Sequence, residues 1–489
     1  MKLVLFGTGD DCIKCLDILK MQGIVPDFFT DNNPSKWGTL LEGKKIIAPQ
    51  ELLNMDCQIM ISTSDFQEKI MRQLKEMGLY HRIIKYTPVF RQYIEKQAKT
   101  YVPENPVIHE NECILLDAFM GNGWDGDQQY ACYIASGLKE RGYDTHVYAK
   151  DSLVAQSDKT EPLIDRFPWK KDRYWETLLP ILRDMEQRLP FVLIANSLEY
   201  AMAAAFILKQ KYPDLVRIIS VMHNDNYSLY EKQTQWQDSI DMILGISEKI
   251  AETLIDPWNI PEKKVSCKIN PVFVKDNWNN DALDIGFENE SCKDCLRIGW
   301  GARLTASQKN AHLLPALIES LEERHVDYCM EIAGDGSFYP NLQTFLEKKG
   351  LQGHVRLLGR LEHRAMGDFW KRQHIYINLS EWEGCCLAML EAMACGTVPV
   401  VTNVSGTSDV VFNGQTGFKV NPEEENMINK IADKIAYLAE NPEKRIRMSE
   451  EALKVVREKC DLDQYMDYME ALIHTNKTYI LPKKEMRKS

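Results

Sequence analysis

Residues 381–396 read EWEGCCLAMLEAMACG, and the segments flanking them decide the fold. Glu383 and Glu391 stand eight positions apart, about two helical turns, and would share a face of one continuous helix. Glu383-Gly384 reads instead as loop, and LAMLEAMA as the opening turns of an apolar helix. Upstream, HIYINLS (374–380) has the pattern of a buried strand, and downstream VPVVTN (398–403) is another. Strand, acid-bearing loop, helix and strand make a parallel β-α-β unit, whose ligands gather at the carboxyl ends of the strands.

Working outward, the same alternation fills the chain. LRIGWGARL (296–304), YCMEIAGDG (328–336) and VRLLG (355–359) are further strands of this unit. The acidic, turn-rich stretch 276–294 precedes it and reads as a linker. Before that lies a second unit. CILLDAF (113–119) is followed by the Gly/Asp turn GNGWDGD, the helix QQYACYIASGLKERG and the strand DTHVYAK, with FVLIANS and VRIISVMHND as later strands. Residues 1–98 form a third: LVLFG is a strand, GTGDD a turn, CIKCLDILKMQG a helix, and VPDFFTD a strand ending in Asp31. IMISTS and RIIKYT read as parallel strands, and 100–112, with two prolines, as a linker. A Gly-x-Gly turn (Gly7, Gly9) after a strand, with an acid about 20 residues on, is the dinucleotide-binding pattern, although Cys12 stands where its third glycine belongs.

Composition narrows the class. The 489 residues are 44% hydrophobic and 27% charged, enough for sizeable cores, and the net charge of −12 argues against nucleic-acid binding. Thirteen scattered cysteines, an odd number, suit reduced thiols in a cytoplasm. The start is too short in apolar residues for a signal peptide. The most apolar window, PFVLIANSLEYAMAAAFIL, carries Asn196, Ser197 and Glu199 and is not a membrane span. The basic tail LPKKEMRKS leaves open a weak contact at the inner face of a membrane, with a solvated end the favoured reading. Cys12-x-x-Cys15 and Cys292-x-x-Cys295 invite a metal, but nothing brings the pairs together, so no metal is assigned.

The ordered motifs resemble the glycosyltransferase family 4 enzymes, retaining enzymes of the GT-B fold. Glu383, seven residues, Glu391 and then Ala-Met-Ala-Cys-Gly resemble their paired-glutamate motif; GARL, QKN, the AGDG turn and VRLLGRL precede it in the family's order. The resemblance covers roughly residues 112–475. It implies an α/β fold with two Rossmann-like lobes, an acceptor lobe at 112–275 and a nucleotide-sugar donor lobe at 296–460. A helix at 461–480 crosses back to the acceptor lobe, and an additional N-terminal Rossmann-like domain spans 1–98.

By this resemblance, Glu391 accepts hydrogen bonds from the donor's ribose, and Glu383 holds hydroxyls of the transferred sugar. Arg303 and Lys309 stabilise the leaving diphosphate, with backbone at Gly384, Cys385, Cys386 and Leu387 assisting. Six positions separate Arg303 and Lys309, one more than the family pattern, so either Lys309 or Gln308 reaches the phosphates. Gly301 and Gly334 line the nucleotide side, Asp335 is a donor contact or, the favoured reading, a turn residue, and Gly126 lets backbone approach the phosphates. Asp125 or Asp127 faces the acceptor, and His223 stands near the reacting centre or is a structural histidine. Cys385 and Cys386 replace the usual Phe-Gly, either narrowing the sugar pocket or packing as small hydrophobes, the favoured reading.

The resemblance further implies a metal-independent hexosyltransferase-like reaction with no cofactor besides a UDP- or GDP-linked donor sugar. The acceptor is a glycan, a lipid-linked molecule or a protein, in bacterial surface polysaccharide or glycoconjugate synthesis. A nucleotide-sugar epimerase of related fold and a non-catalytic nucleotide-sugar-binding protein are the alternatives. The N-terminal module resembles domains fused to sugar-pathway enzymes and reads as an assembly or acceptor-recruiting part. Nucleotide binding through Gly7, Gly9 and Asp31 is its alternative, and self-association of the chain stays open.

Overall fold

The structure is a computed structural model and describes residues 1–63, 66–118, 126–152, 160–170, 172–197, 199–272 and 295–475. Three sheets follow one another along the chain. The first holds β1 (Lys2–Phe6), β2 (Phe28–Thr30), β3 (Leu40–Leu41), β4 (Lys44–Ile47), β5 (Cys57–Ile61) and β6 (Ile83–Ile84) in the order β3-β4-β2-β1-β5-β6. The second holds β7 (Cys113–Ala118), β8 (Asp144–Lys150), β9 (Ile164–Phe167), β10 (Phe191–Ala195), β11 (Val216–Met222), β12 (Met242–Gly245) and β13 (Val265–Cys267). Their order is β13-β12-β11-β10-β7-β8-β9. The third holds β14 (Leu296–Gly301), β15 (Tyr328–Ala333), β16 (Val355–Gly359), β17 (Ile375–Asn378), β18 (Val398–Thr402) and β19 (Phe418–Val420), ordered β16-β15-β14-β17-β18-β19. Among the described residues, only the β3–β4 hairpin is antiparallel.

The strands CILLDA, FVLIA, YCMEIA and VPVVT are buried at every position, as strands covered by helices on both faces must be. Strand order reverses between β1 and β5, β7 and β10, and β14 and β17. At each reversal the connections leave in opposite directions and open a crevice beyond the strand ends. RIIKYT is not one long strand. Pairing stops at Ile84, and the helix Tyr86–Thr100 begins at once, with Pro88 in its first turn, where no backbone donor is needed.

That helix fixes the first unit onto the second. The helix Tyr200–Lys211 (YAMAAAFILKQK) is buried from Tyr200 through Leu208, which a helix lying on one sheet face would not be. Its outer side is covered from the first unit. Arg91 lies over the rings of Phe206 and Trp236, 4.2 and 4.8 Å from their centres, and pairs with Asp238 at 2.9 Å. Lys14 meets Glu199 at 2.7 Å, and the Tyr101 hydroxyl donates to Glu186 at 2.7 Å.

The helix Leu462–His474 packs on the helix Gly126–Glu140 of the second unit. The Tyr130 and Tyr465 hydroxyls meet at 2.8 Å, and Arg141 reaches Asp467 and Glu470 at 2.5 Å. Met466 occupies the space above Gly137, where a Cβ would lie 2.9 Å from its thioether. Asp125, the linker 276–294 with Cys292, and the tail 481–489 lie outside the described residues. No helix among the described residues is long and apolar enough to cross a membrane. Nothing in them supports a membrane contact.

Candidate active site

The crevices of the second and third sheets face each other across a cleft of about 730 Å³. From the third sheet, Gly301 ends β14, and the chain continues through Arg303 to Lys309. Beyond β17 the loop Glu383–Cys386 leads into the helix Leu387–Ala394. From the second sheet come Gly126 and Asp127 at the start of the helix Gly126–Glu140, and His223 just after β11. Lys69 and Arg72 reach the rim from the first unit's helix Gln67–Glu76, and Lys69 pairs with Glu381 at 3.1 Å.

Backbone contact joins the lobes. A Cβ on Gly384 would lie 1.8 Å from the His223 carbonyl oxygen, a space only glycine leaves free. Gly126 faces Leu387, at 3.4 Å from its Cδ1 to a Cβ built on the glycine. Two helix N-termini therefore converge here, each presenting the positive end of its dipole.

Lys309 and Glu383 form the charged centre of the cleft. Lys309 Nζ lies 2.5 Å from Glu383 Oε1; the glutamate is buried and the lysine partly buried. Ser380 Oγ donates to the same oxygen at 2.6 Å, and Asn378 Nδ2 lies 3.4 Å away. Burial pulls the ammonium's pKa down, but the carboxylate of Glu383 outweighs it and holds Lys309 above its ordinary value. Arg303 donates to Gln308 Oε1 at 3.1 Å, and the Gln308 carbonyl accepts from Glu381 N at 2.7 Å. Gln308 is thus tied into the loop while the Lys309 ammonium enters the cleft. Glu391, in the second turn of its helix, is buried and lines the same cleft.

Gly334 and Asp335 are not brought among the cleft-lining residues. They sit behind Ala302–Leu304, where a Cβ on Gly334 would meet the Ala302 carbonyl oxygen at 2.0 Å and Asp335 O accepts from Leu304 N. They support the segment carrying Arg303. Cys385 and Cys386 are buried, and burial pushes both thiols above their ordinary range. Cys386 Sγ lies 3.2 Å from Asn378 Nδ2 and 3.1 Å from the Tyr376 hydroxyl, so it packs as a weakly bonded thiol, while both residues also border the cleft.

His223 is buried, with Nε2 2.8 Å from Asn196 Oδ1, its ring edge-on to Tyr130 and Nδ1 3.9 Å from Asp127. Burial lowers its pKa, with Asp127 opposing, which favours a neutral imidazole. Behind it, Asn196 N and Ser197 Oγ donate to Asp117 at the end of β7. Burial raises Asp117 to about 6 despite these bonds. Sequence reading did not single out this trio. Its signal was the polar residues ending the apolar strands CILLDA and FVLIANS.

The first unit's Gly7, Gly9 and Asp31 lie apart from the cleft. Gly7 has φ +103° and packs against Ser62 and Thr63, while Gly9 has open space around it. Asp31 is already engaged, accepting from the Thr8 hydroxyl, from Lys36 Nζ at 2.9 Å and from Asn33 N at 2.9 Å. Cys12 and Cys15 are buried within one helix, and burial pushes the Cys12 thiol up to about 11. Cys113, Asp144 and His146 come within metal-binding reach of one another. The Arg188 guanidinium, 2.6 Å from His146 Nε2, already supplies a cation there.

Comparison with known proteins adds to this geometry. Residues 302–455 match the group 1 glycosyl transferase family model, and residues 1–84 match the C2185-like N-terminal family. An uncharacterised glycosyltransferase of Methanocaldococcus jannaschii is 29% identical over 134 residues, 27% of this chain and 36% of that protein. The phosphatidylinositol N-acetylglucosaminyltransferase gpi3 subunit of Schizosaccharomyces pombe is 29% identical over 196 residues, 40% of this chain and 41% of that protein. The chain thus spans about a third to two fifths of the length of these curated relatives. The crystal structure of Anabaena HepE in complex with UDP-glucose superposes with a TM-score of 0.61 at 14% identity, covering 74% of this chain and 98% of that one. The second and third sheets with their helices are therefore arranged in the GT-B fold.

Proposed function

We propose that this chain is a retaining, metal-independent glycosyltransferase that moves a sugar from a UDP- or GDP-linked donor to a glycan, lipid-linked or protein acceptor. The observation that carries the reading is the Lys309–Glu383 ion pair beside Arg303, at the point where two helix N-termini converge. An anion and a polyhydroxylated ring satisfy such a site together. The donor diphosphate takes the cations and the positive helix ends; the sugar hydroxyls then satisfy the Glu383 carboxylate that Lys309 leaves. Glu391 accepts from the vicinal ribose hydroxyls.

In the reaction, the bond from the anomeric carbon to the diphosphate oxygen breaks, and charge grows on that oxygen. Arg303, Lys309 once released from Glu383, and the helix N-termini stabilise that charge. The acceptor oxygen bonds to the same face of the sugar, and its proton passes to a departing phosphate oxygen. His223, neutral and held by Asn196, orients hydroxyls near this centre. Residues 296–460 act as donor lobe and 112–275 as acceptor lobe, braced by 461–480. The N-terminal unit recruits the acceptor, a role supported by Lys69 and Arg72 at the cleft rim. The odd, scattered cysteines support a cytoplasmic setting in surface polysaccharide or glycoconjugate synthesis.

A thermal-shift series with nucleoside diphosphates tests the reading. A ligand that binds only the folded chain raises its melting temperature, so uridine or guanosine diphosphate is expected to do so. No shift with either contradicts the proposal.

A further inference from the structure

The helix Gln67–Glu76 of the first unit reaches both of the other units from its first turn. At its start, the Gln67 side-chain amide donates to Glu231 Oε2 at 3.1 Å, on the helix Tyr227–Trp236 of the second unit. Lys85, just past β6, pairs with the same carboxylate at 2.9 Å. Tyr227 and Ser228, which open that helix, border the cleft. Two positions after Gln67, Lys69 turns to the third unit. Its ammonium lies 3.1 Å from Glu381 Oε2 and 5.5 Å from the centre of the Trp382 ring.

Lys69 thereby grips the segment that carries Glu383. Glu381 N donates to the Gln308 carbonyl at 2.7 Å, and Gln308 Nε2 donates to the Trp382 carbonyl at 3.4 Å. The side-chain oxygen of Gln308 accepts from Arg303 at 3.1 Å. Gln308 has φ +58°, a left-handed backbone that a residue with a side chain keeps only when its surroundings impose it. Lys309 follows Gln308 and Glu383 follows Trp382, so both members of the charged centre hang from residues tied in this way. A shift at Glu381 or Trp382 is passed to each of them.

Lys69 and Glu381 are exposed, and an isolated pair of that kind contributes little. Here one ammonium serves a carboxylate and an aromatic face on neighbouring residues. Its helix is already fixed at Gln67, so little further freedom is lost in making the contact.

We infer that Lys69 is a positioning residue, which holds the Glu381–Glu383 segment from the first unit. The first unit thus sets the geometry of the charged centre without touching the reacting atoms. What that geometry does rests on the transfer reading; the contact itself does not.

The test uses the full chain and two substitutions. Lys69→Met keeps the stem and removes the charge, whereas Lys69→Arg keeps the charge and can still lie over a ring. Release of the diphosphate from UDP- or GDP-linked glucose by hydrolysis should slow about fivefold in Lys69→Met and largely recover in Lys69→Arg. The loss should fall on kcat, with KM for the donor within about twofold. Lys75→Met, at an exposed lysine of the same helix, should change neither. Glu381→Gln should cost about as much as Lys69→Met, and the double variant no more than either alone, because both remove one contact. Hydrogen exchange at amides 380–386 should quicken in Lys69→Met. Unchanged release, additive losses in the double variant, or a rise in KM at constant kcat would overturn the inference. If the wild-type chain releases no diphosphate, the transfer reading falls and hydrogen exchange decides alone. Unaltered exchange then overturns the positioning role, and faster exchange sustains it.

Discussion

The ammonium of Lys309 lies 2.5 Å from the buried carboxylate of Glu383, within a cleft bordered by Arg303 and Glu391. Each charge is the other's partner, and in the proposed reaction an anionic, hydroxylated ligand takes over both. The two glutamates should therefore fail differently. Glu391→Ala is expected to cost about 1.5–3 kcal/mol of nucleoside diphosphate affinity, a loss of roughly ten- to a hundredfold. Glu383→Gln keeps the shape of the side chain and should spare that affinity while slowing transfer about a hundredfold. Glu383→Ala additionally strands a partly buried ammonium, at about 3–5 kcal/mol of stability. Calorimetry with the diphosphate alone separates the roles, and equal losses in both positions would defeat the division.

Gly384 makes the sharpest steric prediction. A methyl group there would stand 1.8 Å from the His223 carbonyl oxygen, so Gly384→Ala must push the two lobes apart or displace the loop. Misplacing reacting groups by about 1 Å costs on the order of a hundredfold in rate. Transfer should fall by at least that much while diphosphate binding to the third lobe persists. Small-angle scattering should report a larger radius of gyration, and an unchanged rate would contradict this account of the contact.

Much of this was legible in the residues. All-apolar strands such as FVLIA and VPVVT, separated by helices, can only build parallel sheets covered on both sides, and the loop-to-helix change at Leu387 follows from its small and apolar run. Other features were hidden because they depend on sheet order. Asp117, Asn196 and His223 lie at or just past the ends of three strands and meet only because β7, β10 and β11 are adjacent. Lys69 gives no sequence sign of reaching Glu381, more than 300 positions on, and Gly334 looked like a ligand turn because its support of Ala302 is a backbone contact.

Docking of the first unit should be acid-sensitive. Burial alone would raise the pKa of Glu199, but Lys14 and Lys232 outweigh it and hold it at about 2. Because the folded pKa is depressed, the stabilisation is complete above the unfolded value near 4.5 and is lost as pH falls toward 2. With the side chain about a fifth exposed, this amounts to on the order of 2–3 kcal/mol. Glu199→Gln should flatten the acid limb of a stability–pH curve over that window, and an unaltered limb would count against the pair.

Arg91, lying over Phe206 and Trp236 and paired with Asp238, should be the main polar anchor of the same interface. Arg91→Ala removes packing as well as charge and should destabilise the chain by about 1–3 kcal/mol. Hydrogen exchange is expected to quicken in the helix Tyr200–Lys211 before it does in the third sheet. Uniform quickening would mean that the units do not open separately.

The most direct test of the central claim is the fate of a nucleotide sugar. The wild-type chain, given UDP- and GDP-linked sugars with a saturating chelator, should release the nucleoside diphosphate by slow hydrolysis or transfer. NMR of the product should show the donor's anomeric configuration retained, and Glu383→Gln should suppress the release. An inverted product, an epimerised sugar with its nucleotide still attached, or binding without any turnover would contradict the account.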